Sequence, residues 1–313
     1  MSDLVHDVKS DPAPALPSWW KHPAVVALKR NPVTVALYNA WLDYLCRNVE
    51  RYIFVATTGR SGTASLTRVF ETAVDDVVCL HEPSPIMFSD YPRRQGIDRE
   101  AYFRKLFWVL KRTYIKRAAA GHRTYLETNH QFIKNFAAPA IEYFGPKIRI
   151  IHLKRDPVSV ASSFLAIDSV PVKTQRGHYY MLDPDDSTNK IRIPELLNGT
   201  GEFGHDLYKC LWYWYETEAR VQAMKERYPN VVWVDITTEQ LNDRAVLKAM
   251  FDRLGIPVSP DRLDRAVSIR ENLRTEEKKE IIDRVRCEEM DRKLRTKIEE
   301  IYGNKLMEEV RNL

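Results

Sequence analysis

Glycine is scarce in this chain, 11 of 313 residues, half of the usual ~7%. So few unrestricted backbone positions exclude a collagen-like or low-complexity polymer, and any pair of neighbouring glycines marks a tight turn or a close approach. Cysteine is scarcer: Cys46, Cys79, Cys210 and Cys287 lie far apart with no C-x-x-C pair. That spacing suits neither a disulfide scaffold nor a zinc site and predicts a reducing, cytoplasmic setting with no bound metal. Long hydrophobic runs are missing too. Residues 23–46 are fairly apolar but are broken by Lys29, Arg30, Pro32 and Asp43, well short of the ~18 residues of a membrane span. They read as helical packing segments, and no transmembrane segment is expected. Residues 1–17 carry acids and prolines without an apolar stretch, so no secretory signal is expected there, and Asn198-Gly199-Thr200 is a glycosylation sequon without consequence. Neither sign of charge dominates: 48 Lys and Arg stand against 43 Asp and Glu, a net charge of +5. A nucleic-acid footprint is not expected from so small an excess, but a local anion site is compatible with it.

What is present is an alternation. Strand-like apolar runs at 52–57, 77–81, 124–128, 147–153 and 231–236 alternate with helix-period segments at 63–73, 100–120, 131–144, 157–167 and 207–227. This predicts an α/β fold of three layers, a central parallel sheet with helices on both faces, whose ligands sit at the carboxyl ends of the strands. The expected organisation is an N-terminal extension with helical segments (1–50), an α/β domain (51–260) and a C-terminal helical extension (261–313). Residues 168–204 break the alternation and read as a long insert or lid. In the tail, Ile282, Val285, Met290, Leu294, Ile298 and Ile301 form one helical stripe, as expected of a helix docked on the domain.

Two of the eleven glycines fall in Thr57-Thr58-Gly59-Arg60-Ser61-Gly62-Thr63-Ala64-Ser65, between a buried strand and a helix. Such a junction aims unpaired backbone N–H groups and the positive end of the helix at one spot, so the natural ligand is an anion. Ser61, Thr63 and Ser65 add hydroxyl donors and Arg60 a permanent positive charge. An ATP loop requires G-x-x-x-x-G-K-[ST]; here the glycines are three apart and no lysine follows the second.

The stretch Arg60-Ser61-Gly62-Thr63 instead resembles the 5′-phosphosulfate loop of sulfotransferases, the family that uses 3′-phosphoadenosine 5′-phosphosulfate (PAPS), in the Arg form found among carbohydrate and tyrosylprotein members. The resemblance implies a P-loop-like fold and cofactor contacts at Arg60, Ser61, Gly62, Thr63, Ala64 and Ser65. A second strand ends in Lys154-Arg155-Asp156-Pro157, with Ser163 eight residues beyond Arg155. This is similar to the family's second motif, in which an Arg and a Ser hold the 3′-phosphate of the nucleotide. At ~1.5 Å per residue Ser163 is within about 9 Å of the helix start, so one anion can touch both; Ser159 and Ser162 are competing hydroxyls that cap or pack the helix turn. The resemblance covers roughly residues 51–164. The family's late Arg-Lys-Gly loop is not found, and Arg270 or Arg274 are the basic residues that could substitute for it.

Transfer of a sulfuryl group to a hydroxyl needs a base at the acceptor oxygen and positive charge at the departing phosphate, the latter a role for Arg60. A Glu just after the second strand is the base in the carbohydrate and tyrosylprotein enzymes, and Glu82, in His81-Glu82-Pro83, resembles it. Glu82 neighbours the first loop if their strands are adjacent. Glu127, at the end of the next strand, and the histidines His81 and His130 are the rivals; each also has a plain structural role open to it, as a cap, an ion-pair partner or a surface group.

Gly199-Thr200-Gly201-Glu202-Phe203-Gly204 matches a dinucleotide fingerprint in spelling, but no strand precedes it. The consecutive Trp212, Tyr213, Trp214 and Tyr215 face all round a helix and read mostly as core. The sequence therefore points to a PAPS-dependent sulfotransferase yielding 3′-phosphoadenosine 5′-phosphate (PAP), acting on a hydroxyl of a carbohydrate, glycolipid or other small molecule. A P-loop phosphotransferase and a non-catalytic nucleotide-binding protein of the same fold are the alternatives.

Overall fold

Five runs rich in Val, Ile and aromatics form the strands of a computed structural model that describes residues 31–88, 92, 95–269, 283–304, 308 and 310. They are β1 (Arg51–Ala56), β2 (Val77–His81), β3 (Thr124–Thr128), β4 (Ile148–Lys154) and β5 (Val232–Thr237). All pair in parallel, in the order β2-β3-β1-β4-β5. This is the expected α/β sheet, each strand within one residue of its sequence position. The order is neither the 3-2-1-4-5-6 of dinucleotide folds nor the 2-1-3-4-5 of flavodoxin-like ones. From β1 the chain leaves towards β2 at one edge, and from β4 towards β5 at the other. The crevice where such connections diverge is where ligands settle in open parallel sheets. Ala56 is in register with His152, which sets the loops after β1 and β4 side by side.

Both faces of the sheet are covered. Tyr52, Phe54 and Ala56 point into a layer with Phe132, Phe136 and Phe144, where the Phe54 and Phe132 rings stack at 4.8 Å. Ile53 and Val55 point the other way, onto Leu66, Phe70 and Phe251. Burial on both sides explains why these strands are continuously apolar instead of alternating. At Phe54, which is fully buried, truncation to Ala would cost ~3–5 kcal/mol.

Two helices differ from their sequence reading in one respect. The expected helix at 100–120 is Arg99–Leu106 and Arg112–Ala119 joined by a π-turn, Phe107–Lys111, and the one at 131–144 opens with a second π-turn, Phe132–Phe136. A π-turn adds a residue to the repeat and so shifts the phase of the helix face. Lys111 and Lys134 are buried as a result, although 3.6-residue periodicity gives no hint of it.

Residues 168–204 hold the short helices Gln175–Tyr180 and Pro194–Leu197 and the 3-10 turn Glu202–Gly204. They pack into the core instead of standing off it: Val170, Met181, Leu182, Ile191, Ile193 and Leu197 are buried with the Asp206–Arg227 helix. The Glu216 carboxylate accepts the backbone N–H groups of Lys190 (2.9 Å) and Ile191 (2.7 Å), and Trp212 Nε1 donates to the Ile191 carbonyl at 2.8 Å. The Gly199–Gly204 stretch follows a helix, not a strand. A side chain at Gly204 would start 2.2 Å from the Gly199 carbonyl, so this glycine closes a local turn and no dinucleotide is needed to explain it.

Trp212, Tyr213, Trp214 and Tyr215 are all buried. In the C-terminal helix Arg284–Tyr302, Met290, Leu294 and Ile298 are buried beside Cys287, whereas Val285 and Ile301 are exposed. The stripe is therefore shorter than its spacing suggested, and Ile282 lies outside the described residues. No described helix is long and apolar enough to cross a membrane.

Candidate functional site

The loop after β1 is built by its glycines. Gly59, Arg60 and Gly62 all have positive φ, at 87°, 59° and 80°, so the backbone doubles back before the helix Thr63–Ala73 begins. Gly62 is the N-cap of that helix and no side chain caps its first turn, leaving its N–H groups directed at the loop. A side chain on Gly62 would start 2.9 Å from Thr238 Cγ2. Thr238, just after β5, bonds through Oγ1 to the Ser61 carbonyl at 2.8 Å and to the Lys154 carbonyl at 3.2 Å, tying the loop after β1 to the end of β4. Ser61 Oγ turns inward onto Thr58 Oγ1 (3.1 Å) and the Gly59 carbonyl (3.1 Å); its side chain shapes the loop.

The second motif meets the first. Arg60 Nε donates to Ser163 Oγ at 2.9 Å, and Arg155 Nη1 donates to the Arg60 carbonyl at 3.0 Å. Asp156 caps the Pro157–Ala166 helix by accepting from Ser159 N, and Ser162 Oγ lies 3.8 Å from Cys287 Sγ. Ser163, not Ser162, is thus the hydroxyl that meets Arg60. Two rings of the aromatic run brace both loops from below: Tyr213 donates its hydroxyl to the Thr58 carbonyl at 3.0 Å and Trp214 Nε1 donates to the Arg155 carbonyl at 2.9 Å. The sequence offered only their apolar bulk as a signal. Beside the helix start a cavity of about 700 Å³ is lined by Ser65, Val69, Thr238, Leu241, Val267 and Ile269. Arg270 and Arg274 lie outside the described residues.

Glu82 reaches the site by a route other than the expected one. Its strand, β2, pairs with β3 and not with β1, so the two loops are not adjacent. With φ at 46° and its N–H on the Thr128 carbonyl, Glu82 turns across the end of β3, and Oε1 comes to 3.5 Å from His130 Nε2. His130 in turn abuts the loop, its Nδ1 3.2 Å from where a side chain on Gly59 would begin. Burial holds the His130 ring well below its ordinary pKa and hence neutral. The Glu82 side chain is about one-third exposed.

Glu127 is differently placed. It is fully buried, pairs with Lys111 at 2.7 Å, and accepts from Tyr125 (2.6 Å) and Asn129 (2.9 Å). Every oxygen is occupied and none faces the crevice. His81 is exposed and bonds through Nδ1 to Thr128 Oγ1 at 2.9 Å. A second cavity of about 620 Å³ opens between Arg99 and the 168–204 segment, against Val172, Tyr179, Met181, Asp183 and Asp186. Among the described residues no group of three or more His, Cys, Asp or Glu side chains is placed to hold a metal ion.

No protein-family model matches this chain, and no curated protein matches it. Among solved structures it is similar to the sulfotransferase domain from the curacin biosynthetic pathway, at 17% identity over 68% of this chain and 77% of that one, with a TM-score of 0.38. It is similar to a sulfotransferase from Alicyclobacillus acidocaldarius at 17% identity, over 84% of this chain and 97% of the other, with a TM-score of 0.41. The mouse sulfotransferase SULT7A1, complexed with PAP, is matched at 16% identity over 85% and 91% of the two chains, with a TM-score of 0.42.

Proposed function

We propose that this chain is a PAPS-dependent sulfotransferase acting on a hydroxyl group. The observation that carries the reading is the contact of Arg60 with both elements of the second motif, Ser163 Oγ at 2.9 Å and Arg155 at 3.0 Å. Two loops that each suit an anion are joined into one site for a ligand with an anionic group at either end. In this reading the uncapped N–H groups of Thr63, Ala64 and Ser65, with Arg60, hold the 5′-phosphosulfate, and Arg155 and Ser163 hold the 3′-phosphate. The 700 Å³ cavity beside the start of the Thr63–Ala73 helix is of a size for a nucleoside.

In the reaction a bond forms from the acceptor oxygen to sulfur, and the bond from sulfur to the phosphate oxygen breaks, releasing PAP. Arg60 offsets the charge that grows on the departing phosphate; it keeps its proton throughout. Glu82 is the base that takes the hydroxyl proton, being the carboxylate with open oxygens at the crevice, whereas Glu127 is tied to Lys111. The acceptor is a carbohydrate, glycolipid or other small hydroxyl compound.

The test is calorimetric binding of PAP against ATP and AMP. Preference for PAP, lost on Arg155→Ala or Ser163→Ala, supports the reading; equal or absent binding overturns it.

A further inference from the structure

Behind Glu82 lies a buried lysine that the transfer reaction as described does not use. Its protonation follows from a chain of hydrogen bonds in which each donor is forced by the one before. Arg99 donates from Nε (3.1 Å) and Nη2 (2.7 Å) to Asn135 Oδ1. Asn135 Nδ2 therefore turns to the Met87 carbonyl (2.6 Å) and to Gln131 Oε1 (2.9 Å). With its oxygen engaged, Gln131 presents its amide nitrogen to the Tyr180 carbonyl at 2.9 Å and to His130 Nε2 at 3.1 Å. Nε2 is then the acceptor, and the neutral imidazole carries its single proton on Nδ1.

Nδ1 faces Lys134 Nζ at 3.3 Å. Lys134 Nζ has two further partners, the Tyr180 carbonyl at 2.7 Å and Tyr213 Oη at 2.8 Å, and that hydroxyl spends its own proton on Thr58. A neutral amine satisfies all three contacts: two N–H groups are donated and the lone pair meets the Nδ1 proton. An ammonium would set a third proton against it.

We propose that Lys134 rests as a neutral amine and serves, as a positioning residue acting through His130, as the final store of the proton removed from the acceptor. The inference rests on the sulfotransferase reading. Glu82 takes the hydroxyl proton on Oε1 and becomes a donor towards His130 Nε2, 3.5 Å away. As Nε2 gains that proton, the Nδ1 proton moves to Lys134 Nζ. The ring ends neutral as its other tautomer, which gives up the Gln131 amide contact at Nε2 and donates towards Glu82, again a carboxylate; one positive charge has appeared on Lys134, so the protons balance.

The surroundings suit such a store. Burial holds Lys134 well below the ordinary lysine range, Arg99 adds to this, Glu82 opposes it, and Arg220 lowers it further. His130 from the same turn and Tyr213 from the Asp206–Arg227 helix complete the titratable groups around it, with His81 beyond the His130 ring. Lys134 sits in the π-turn Phe132–Phe136, a helical irregularity frequent at functional sites.

The test is nitrogen NMR of the unmodified chain with labelled lysine and histidine. The signals are assigned by their loss in Lys134→Arg and His130→Gln. The expected result near neutral pH is one lysine in the amine form, Lys134, and a His130 ring protonated on Nδ1 with Nε2 bare. An ammonium at Lys134, or a proton on Nε2, overturns the proposal, and neither readout depends on activity. A second arm follows sulfate release from PAPS with water as the acceptor. Lys134→Met should lower kcat about tenfold, leave the KM for PAPS unchanged and remove the acid limb of the pH profile; an unaltered pH profile overturns the relay. PAP calorimetry on the unmodified chain separates the two failures, because a chain that binds no PAP fails as a sulfotransferase whatever the state of Lys134.

Discussion

Arg60 Nε and Ser163 Oγ stand 2.9 Å apart although 103 residues separate them in the chain. The contact exists because β1 and β4 are neighbours in the sheet, and it joins two strand-end loops that the proposed function uses as one anion-binding surface. Loss of a hydrogen bond to a charged group costs ~1.5–3 kcal/mol, so Ser163→Ala should weaken PAP binding tenfold or more in calorimetry. Ser162→Ala, whose hydroxyl points at Cys287, should leave it unchanged.

Glu82→Gln should reduce sulfate transfer from PAPS by at least a hundredfold and leave PAP affinity within twofold, since the amide cannot take a proton but keeps the shape of the side chain. Turnover within tenfold of the unmodified chain would assign the base elsewhere.

Glu127 should behave as a structural group. Breaking a buried pair by removing one partner costs ~3–5 kcal/mol, so Glu127→Gln and Lys111→Met should each lower the denaturation midpoint sharply. Glu127 and Lys111 are both almost wholly enclosed. The protein that stays folded should bind PAP with unchanged affinity.

His152, on β4, gives the stability a pH dependence. Burial disfavours its charged form, but Glu218 at 2.8 Å from Nε2 and Asp235 at 2.8 Å from Nδ1 outweigh that, and its pKa is raised. A raised folded-state pKa means stability that is fully present below the unfolded value of ~6.5 and is lost as pH rises through the folded value. Asp235 works in the opposite direction. Burial opposes its charge, His152 and Lys225 outweigh burial, and its pKa falls to about 2. Its contribution is present above the unfolded value of ~3.8 and disappears as pH falls towards 2. Urea denaturation from acid to mildly alkaline pH should show both limbs, and His152→Gln should remove the upper one.

Gly62→Ala should damage the loop twice over. A φ of 80° costs a non-glycine residue ~1–2 kcal/mol, and the new carbon would meet Thr238 Cγ2 at 2.9 Å. PAP affinity should fall about tenfold. Thr238→Ser, which drops that methyl and keeps the hydroxyl on Ser61, should restore part of it when combined with Gly62→Ala.

The sequence by itself determined a good deal. Burial on both faces makes strands of the parallel sheet apolar throughout, so all five were legible within a residue, and the helix Thr63–Ala73 was bounded correctly because Gly62 and its neighbours permit no earlier start. The two basic strand ends, Arg60 and Arg155, were visible as motifs because glycine is rare and a proline marks the second helix. Strand order is another matter. It depends on long-range packing that no local pattern encodes, so only the tertiary structure made β1 and β4 adjacent, inserted β3 between β1 and β2, and brought Glu82 to the crevice through His130 instead of directly. The buried lysines were equally hidden. Lys111 and Lys134 sit in π-turns that shift the helix face by one residue, and there Lys111 meets Glu127 inside the core.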